Sequence, residues 1–279
     1  MLGYVCKYTP MELFEAMDTE ITRLEPSVTD FNHADTLMHA NICSYTKAVL
    51  EDVMEHDYEG VILTTCCDSI RRLYDTLKSQ FPDKFFFLLD IPRKFNDFAV
   101  ALYERQLKQM LTEYEAFSGK TLDLKRFVSM MQNKAALKKQ ENTRMSASAV
   151  SEKGNGQKLN IGIMGARCNN EIRQLLVDRG ANLLFDLTCT GLARDFSITE
   201  DQVLHSYAAA LLNQIPCMRM LKAANREHFL DGFTDRLDGI IYHTVKFCDS
   251  YSYEYADFRQ RLDLPILLVE TDSTRQCAG

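Results

Sequence analysis

The sequence lacks two features that would assign its chemistry at once. No two of its nine cysteines are spaced as CxxC, which argues against zinc fingers, thioredoxin-type redox sites and ferredoxin-type cluster loops. It also has no basic stripe, since 39 acidic residues outnumber 32 lysines and arginines and the net charge is −7. Without clustered positive charge to neutralise phosphates, nucleic-acid binding is not expected.

Long apolar runs are missing as well. The start, Met1–Lys7, has no signal-peptide core, and the most apolar short stretch, Phe85–Leu89, is far too short to span a bilayer. We therefore expect a cytoplasmic protein that makes no membrane contact. Cysteines in a reducing cytoplasm are thiols rather than a disulfide framework, so their number must reflect reactivity, burial or a metal.

What the sequence does contain is a series of short runs rich in Val, Ile, Leu and Phe. They show little alternation, as is typical of parallel strands that are buried on both faces. The predicted strands are Val61–Thr65, Phe85–Ile91, Leu159–Met164, Leu183–Leu187, Gly239–Thr244 and Ile266–Glu270. Amphipathic helical stretches such as Ser69–Gln80 and Asn170–Arg179 lie between them. Thr9 and Pro10 are predicted to cap and begin a further helix. This alternation predicts an α/β protein with parallel sheets.

The chain is long enough, at 279 residues with 46% apolar content, for two domains. A long helical region is predicted over 97–142, and Ser146–Gln157 follows it without any periodic pattern. We interpret 1–145 as an N-terminal α/β domain, 146–157 as a linker and 158–279 as a C-terminal α/β domain. A surface loop inside one domain is the alternative for the linker.

A short internal sequence repeat supports two related domains. Cys67–Ser69 and Cys248–Ser250 both read Cys-Asp-Ser, and both follow an apolar strand. Each is followed by a helical stretch and then by a second strand that ends in an acidic residue, Asp90 or Glu270. Ligands in open parallel sheets bind at the carboxyl ends of the strands, which is where both motifs fall.

The position of the cysteines points to a site at these strand ends. Cys6, Cys67, Cys189 and Cys248 each follow an apolar strand, and the two in Cys-Asp-Ser motifs precede helices, whose amino ends favour thiolates. Any one of them alone is more often a core residue, because free cysteine packs well in apolar interiors. A Cys/His zinc site has no short-range spacing to support it, and His243, inside an apolar strand, is expected to be a hydrogen-bonded core residue.

Three cysteine motifs resemble those of the 2-hydroxyacyl-CoA dehydratase and benzoyl-CoA reductase family, in particular the 2-hydroxyglutaryl-CoA dehydratase D-component. They are Asn41–Cys43, Thr65–Ser69 with Arg71–Asp75, and Lys246–Asp249. The resemblance covers essentially the whole chain. It implies two Rossmann- or flavodoxin-like domains with a cluster in the cleft between them. It also implies that three cysteines hold a [4Fe–4S] cluster with one iron position open: Cys43, Cys67 and Cys248.

A second set of motifs is similar to the double-cubane branch of that family, in which two cubanes share a bridging sulfide as an [8Fe–9S] cluster. These motifs are Tyr4–Cys6 with Tyr8–Pro10, Leu187–Gly191 and Ile215–Cys217. The implied metal ligands are then Cys6, Cys43, Cys67, Cys189, Cys217 and Cys248. The remaining cysteines have no counterpart in the pattern and are treated as spectators: Cys66, Cys168 and Cys277.

The resemblance also implies a function in cells that avoid oxygen. An ATP-hydrolysing activator with its own [4Fe–4S] cluster would deliver low-potential electrons to the chain. The chain would then act as a lyase that dehydrates a 2-hydroxyacyl-CoA, or as a reductase component for a small molecule. A homodimer or a paralogous second subunit is expected, and no catalytic side chain is singled out. A noncatalytic electron carrier or cluster scaffold is the alternative. Family members continue beyond the last strand into a covering helix, so we expect a C-terminal domain truncated at its last helix.

Overall fold

The computed structural model describes residues 1–148, 158–168, 170–190, 198–220 and 229–274. Its strands form two parallel sheets of four strands each, which confirms the predicted α/β class. The N-terminal sheet has the order β2-β1-β3-β4 and consists of β1 (Leu2–Tyr4), β2 (Ile21–Arg23), β3 (Gly60–Thr64) and β4 (Phe85–Leu89). The C-terminal sheet has the order β6-β5-β7-β8 and consists of β5 (Asn160–Gly165), β6 (Asn182–Thr188), β7 (Gly239–Val245) and β8 (Ile266–Thr271).

The two sheets therefore have the same strand order, which is that of the first four strands of a flavodoxin-like sheet. Gly60 in β3 pairs with Leu2 in β1, and Gly239 in β7 pairs with Ile161 in β5. The internal repeat predicted from the two Cys-Asp-Ser motifs thus corresponds to two equivalent strand–helix–strand units. Both motifs lie at the carboxyl ends of their strands.

Helices cover both faces of the N-terminal sheet. One face packs against helices through Leu2, Ile62 and Phe87, and the other through Val61 and Leu63; all five are buried. The helices before the second sheet are α1 (Met11–Ala16), α2 (Asn32–Leu37), α3 (Ser44–Glu55), α4 (Asp68–Gln80), α5 (Asp97–Ser118) and α6 (Leu124–Ser148). The later ones are α7 (Asn170–Asp178), α8 (Val203–Leu212), a 3₁₀ turn (Thr234–Arg236) and α9 (Asp249–Arg261).

Helix α8 connects the two parts of the chain. It packs against α5 in the core of the N-terminal sheet. There the Tyr207 ring also meets the ring of Phe127 in α6 edge-on, with 5.1 Å between the centroids. The Tyr207 hydroxyl donates to Glu12 at 2.5 Å. A segment that follows the C-terminal strands β5 and β6 in sequence therefore belongs to the N-terminal core, and the domain boundary at 146–157 stays a prediction.

All six predicted strands are present, within a few residues of their expected ends. The predicted helical region over 97–142 is two helices, because Gly119 ends α5 in the left-handed conformation, with φ +71°. Residues 146–148 of the expected linker belong to α6, and 149–157 lie outside the described residues. The expected cap of α1 was wrong: the helix begins at Met11 with Pro10 in the cap position, and the Thr9 hydroxyl has no hydrogen-bond partner among the residues that the structure describes.

The loops that follow β1, β3, β5, β6 and β7 meet at one place, between the carboxyl ends of the two sheets. The backbone joins the two sides there, since the Ser44 N–H donates to the Lys246 carbonyl at 3.1 Å. This convergence of strand ends forms the cavity described below. Within the described parts of the chain, no helix is long and apolar enough to cross a lipid bilayer.

Candidate metal centre

The cavity between the sheets has a volume of about 110 Å³. A hole for one water needs only about 10–15 Å³, so the cavity can hold a group of several heavy atoms. Its wall includes all six cysteines of the predicted ligand set, together with Cys66, which the resemblance leaves without a role. Cys168 is buried but does not line the cavity, and Cys277 lies outside the described residues.

Three of these thiols occupy the same structural position. Cys43, Cys67 and Cys248 are the cap residues of α3, α4 and α9, and we call them the capping cysteines. Each is thus placed at the amino end of a helix that starts at the cavity wall. The partial positive charge at a helix amino end stabilises anions, so three helices favour negative charge in this part of the cavity.

The other three predicted ligands, the loop cysteines, have no such helix. Cys6 follows β1, Cys189 follows β6, and Cys217 lies in the loop after α8. The Cys189 sulfur forms a hydrogen bond of 2.7 Å with the Tyr251 hydroxyl. They belong to irregular backbone that the sheets and α8 hold in place.

The capping thiols include a hydrogen-bonded pair. A bond from Cys248, helped by the backbone N–H groups of Thr46 and Tyr45, lowers the pKa of Cys43 to about 7 despite its burial. The same bond keeps the proton on Cys248 and raises its pKa above the usual range. The hydrogen bond from Cys248 to Cys43 therefore joins the C-terminal side of the cavity to the N-terminal side.

Burial has the opposite effect on two of the loop thiols, Cys6 and Cys189. Desolvation, with the nearby Cys66 and Cys217 thiols, raises the pKa of Cys6 to about 11. Desolvation and Cys217 raise the pKa of Cys189 to about 12. Without a metal these groups remain neutral thiols, and binding a metal would release their protons.

Three cations face the cavity, and no Asp or Glu lies among the described residues of its wall. Arg167 donates to the carbonyl of Leu24 at 3.0 Å and to that of Val5, and its guanidinium stacks over the Tyr45 ring, 4.2 Å from the centroid. Arg219 and Lys7, which donate to the carbonyls of Thr65 and Ile215, are the other two. A cavity wall with fixed positive charge favours the binding of an anionic group.

Three buried hydroxyls supply a second sign that the cavity suits a group with hydrogen-bond acceptors. Tyr8, Thr46 and Thr64 are at most 1% exposed, and none has a conventional hydrogen-bond partner among the described residues. Tyr8 and Thr46 line the cavity, while Thr64 faces the sulfurs of Cys6 and Cys66 and lowers their pKa values. Buried polar groups are nearly always satisfied, and donors of this kind suit thiolates and inorganic sulfides.

The donor set fits an iron–sulfur cluster better than a single metal ion. In the described residues, no group of three or more His, Cys, Asp or Glu side chains converges on one point where an ion could sit. The thiols of a cubane each bind a different iron, so they surround a volume instead of a point. No histidine lines the described wall, and His243 is a core residue as predicted, 2% exposed and bonded to Thr271 Oγ1 at 3.0 Å.

Sequence reasoning did not single out Arg167 and Arg219. A weak signal for Arg167 was present, because it follows the predicted strand Leu159–Met164 at the same edge as the cysteines. Arg219 lies two residues beyond Cys217, in a loop whose path the sequence does not reveal. Tyr8 was quoted only as part of a motif and received no role.

Fold and site together define a two-sheet α/β protein with a thiol-lined cavity at the facing strand ends. A family model described as 2-hydroxyglutaryl-CoA dehydratase, D-component, matches residues 6–148 and 127–278. The chain therefore belongs to the 2-hydroxyglutaryl-CoA dehydratase D-component family. No curated protein matches the chain significantly.

Proposed function

We propose that this chain is the iron–sulfur subunit of a system that performs reductive chemistry of the 2-hydroxyacyl-CoA dehydratase type. The observation that carries the proposal is the convergence of seven cysteines, from separate segments of the chain, on one cavity with cationic residues in its wall. Family membership supports the same reading. Electrons would come from an ATP-hydrolysing activator that has its own [4Fe–4S] cluster.

The capping cysteines, Cys43, Cys67 and Cys248, would hold one [4Fe–4S] cluster. The loop cysteines, Cys6, Cys189 and Cys217, would extend it to a double-cubane [8Fe–9S] cluster. When bound, such a group supplies one-electron transfer at low potential. The two sets would thus be primary and additional ligands, as the motif resemblance implies.

The chain itself would contribute charge and hydrogen bonds. Three helix amino ends and the guanidinium of Arg167 stabilise the added negative charge of a reduced state. The hydroxyls of Tyr8, Thr46 and Thr64 can donate to sulfur atoms that approach them. The burial of these groups excludes water, which strengthens each of these interactions.

Two reaction classes fit this site: dehydration of a 2-hydroxyacyl-CoA, as a lyase, and reduction of a small molecule, as a reductase component. Both require a cell that avoids oxygen, and we place the protein in the cytoplasm of such a cell. A homodimer or a paralogous subunit would complete the assembly.

The test is iron and acid-labile sulfide per chain, with a Mössbauer spectrum, on protein purified without oxygen. About eight irons would indicate the double cubane and direct assays to small reducible molecules. About four would indicate one cubane and assays with 2-hydroxyacyl-CoA thioesters. Folded wild-type protein that binds no iron, even after reconstitution with iron and sulfide, would refute the proposal.

A noncatalytic electron carrier or cluster scaffold is the second candidate. Its role would require only the cysteines and cations of the described wall, without a general acid or base. The two functions separate on one measurement, the reoxidation rate of the reduced protein. An acyl-CoA or small molecule that accelerates reoxidation and appears as product identifies the enzyme, whereas acceleration by protein acceptors alone identifies the carrier.

A further inference from the structure

Two neighbouring cysteines, Cys66 and Cys67, both line the cavity. Adjacent side chains in an extended strand point to opposite faces, so two such neighbours would not normally share one wall. Here β3 ends at Thr64, and residues 65 and 66 form a turn before α4 begins. The turn directs both thiols into the same space.

Several contacts hold this turn in place. The Thr65 N–H donates to the Leu89 carbonyl at 3.0 Å, and its hydroxyl donates to Asp90 at 2.7 Å. Arg219, from the other side of the cavity, donates to the Thr65 carbonyl at 3.0 Å. The turn is therefore tied to β4 and to the loop after α8, and the placement of Cys66 is a fixed feature of the wall.

Cys66 shares the cavity wall with the capping cysteine Cys67 and the loop cysteine Cys6. It interacts with both of them. Its interaction with Cys67 lowers the pKa of Cys67 and raises that of Cys66 well above its usual value, and its charge would raise the pKa of Cys6.

A further group points to a ligand at this place. The Thr64 hydroxyl is fully buried and has no conventional hydrogen-bond partner in the described parts of the chain, and it interacts with the Cys66 sulfur. A hydroxyl so placed is suited to donate to a thiolate, which is the form that Cys66 takes when it binds a metal.

We propose that Cys66 and Cys67 form an exchangeable ligand pair, in which the Cys66 sulfur can take over iron coordination from Cys67. This inference rests on the proposed cluster. In the exchange the bond from iron to the Cys67 sulfur breaks and a bond from iron to the Cys66 sulfur forms. The Cys66 proton passes to the departing Cys67 thiolate, and no electron is transferred. Because both thiols already line the same cavity, a side-chain rotation suffices.

The experiment compares iron content in anaerobically purified variants. We expect Cys67→Ala to retain most of the iron, with a changed electron paramagnetic resonance spectrum in the reduced state. Cys66→Ala should retain it with the wild-type spectrum. The double variant Cys66→Ala/Cys67→Ala should lose iron to the level of Cys248→Ala, which has no neighbouring thiol in sequence. Cys168→Ala, which alters a buried cysteine outside the cavity, is the matched control.

Two results would overturn the exchange. One is a Cys67→Ala protein that loses as much iron as Cys248→Ala, and the other is a double variant that keeps the iron of Cys67→Ala. Cys67→Ser serves as a second single variant, and circular dichroism verifies that each protein folds. Wild-type protein without iron would refute the proposed function itself, so the two failures are distinguishable.

Discussion

The capping cysteines and the loop cysteines line one cavity but are positioned by different kinds of structure. Cys43, Cys67 and Cys248 stand at helix amino ends, where backbone dipoles favour a thiolate. Cys6 and Cys189 follow strands in irregular backbone, and burial raises their pKa values to about 11 and about 12. The first set lies in a part of the cavity that already favours negative charge, whereas Cys6 and Cys189 would become anionic only when a metal displaces their protons.

The difference suggests an order of importance in metal binding. A cluster on the capping set gains the field of three helices, so it should bind without the loop set. Metal binding by the loop cysteines should depend on the positive charge of Arg167 and on the cluster that the capping cysteines already bind. The predictions below test this asymmetry, from the largest expected effect to the smallest.

Removing a capping ligand should have the largest effect. Cys248→Ala removes one ligand and the hydrogen-bond partner of Cys43, so we expect loss of nearly all iron. Iron and sulfide per chain, measured after reconstitution without oxygen, check this expectation. Cys168→Ala should keep the wild-type content. Iron retained in Cys248→Ala at the wild-type level would break the distinction between the two sets.

Removing a loop ligand should have about half that effect. Cys189→Ala leaves the capping set intact, so we expect about half of the wild-type iron to remain, with the Mössbauer signature of a single cubane. Tyr251→Phe, which removes only the hydroxyl that bonds to the Cys189 sulfur, is the matched milder change. Complete loss of iron in Cys189→Ala would show that the sets bind as one unit.

Removing the charge of Arg167 should shift the cluster's potential and leave its iron in place. Arg167→Met takes away a positive charge that stabilises the reduced state, so the midpoint potential should fall, with a smaller shift in Arg167→Lys. The Val5 carbonyl loses its donor as well, whereas the Leu24 carbonyl keeps the hydrogen bond from the Tyr45 hydroxyl, so the free energy of unfolding should fall by about 1–3 kcal/mol.

Redox titration followed by electron paramagnetic resonance, with chemical denaturation, measures both effects of the Arg167 variants. Arg72→Met is the control, because Arg72 is 63% exposed and paired only with Asp75 among the described residues. A potential that moves equally in both variants would contradict a local role for Arg167.

The smallest effect is a pH-dependent signal in iron-free protein. The Cys248 bond lowers the pKa of Cys43 to about 7, so thiolate absorbance should rise by one group as the pH passes through about 7. Cys43→Ala should abolish this step and Cys6→Ala should leave it unchanged, since Cys6 ionises only near pH 11. If both variants kept the step, another thiol would have to be its source.

Much of the fold could be predicted because its strands are unbroken apolar runs. Strand β1 (Leu2–Tyr4) was implied by the position of Cys6 but received no bounds, and β2 (Ile21–Arg23) was missed, since three residues are too few to show a pattern. The break between α5 and α6 was missed although Gly119 marks it, because a single glycine inside helical periodicity is a weak signal.

The site was predictable to the extent that cysteines at strand ends share one edge of a sheet. Its six-cysteine set came from motif resemblance, and the structure gathers that set in one cavity. Cys66 and Arg219 were out of reach, because their placement depends on a turn and on a loop after α8 that follow no sequence period. Long-range contacts of this kind are determined by tertiary packing, which produces no recognisable pattern in the local sequence.

The contact from Lys7 to the carbonyl of Ile215 joins residues 208 positions apart, and the thiol pair Cys43 and Cys248 spans a similar distance. Ribosomes release a chain from its amino end at about 5–20 residues per second, so Cys6 and Cys43 emerge roughly 10–50 s before Cys248. No chain shorter than 248 residues contains the complete thiol set. The proposed metal loading would therefore be a late event in the life of each molecule, and the earliest thiols to emerge would lack their partners in the meantime.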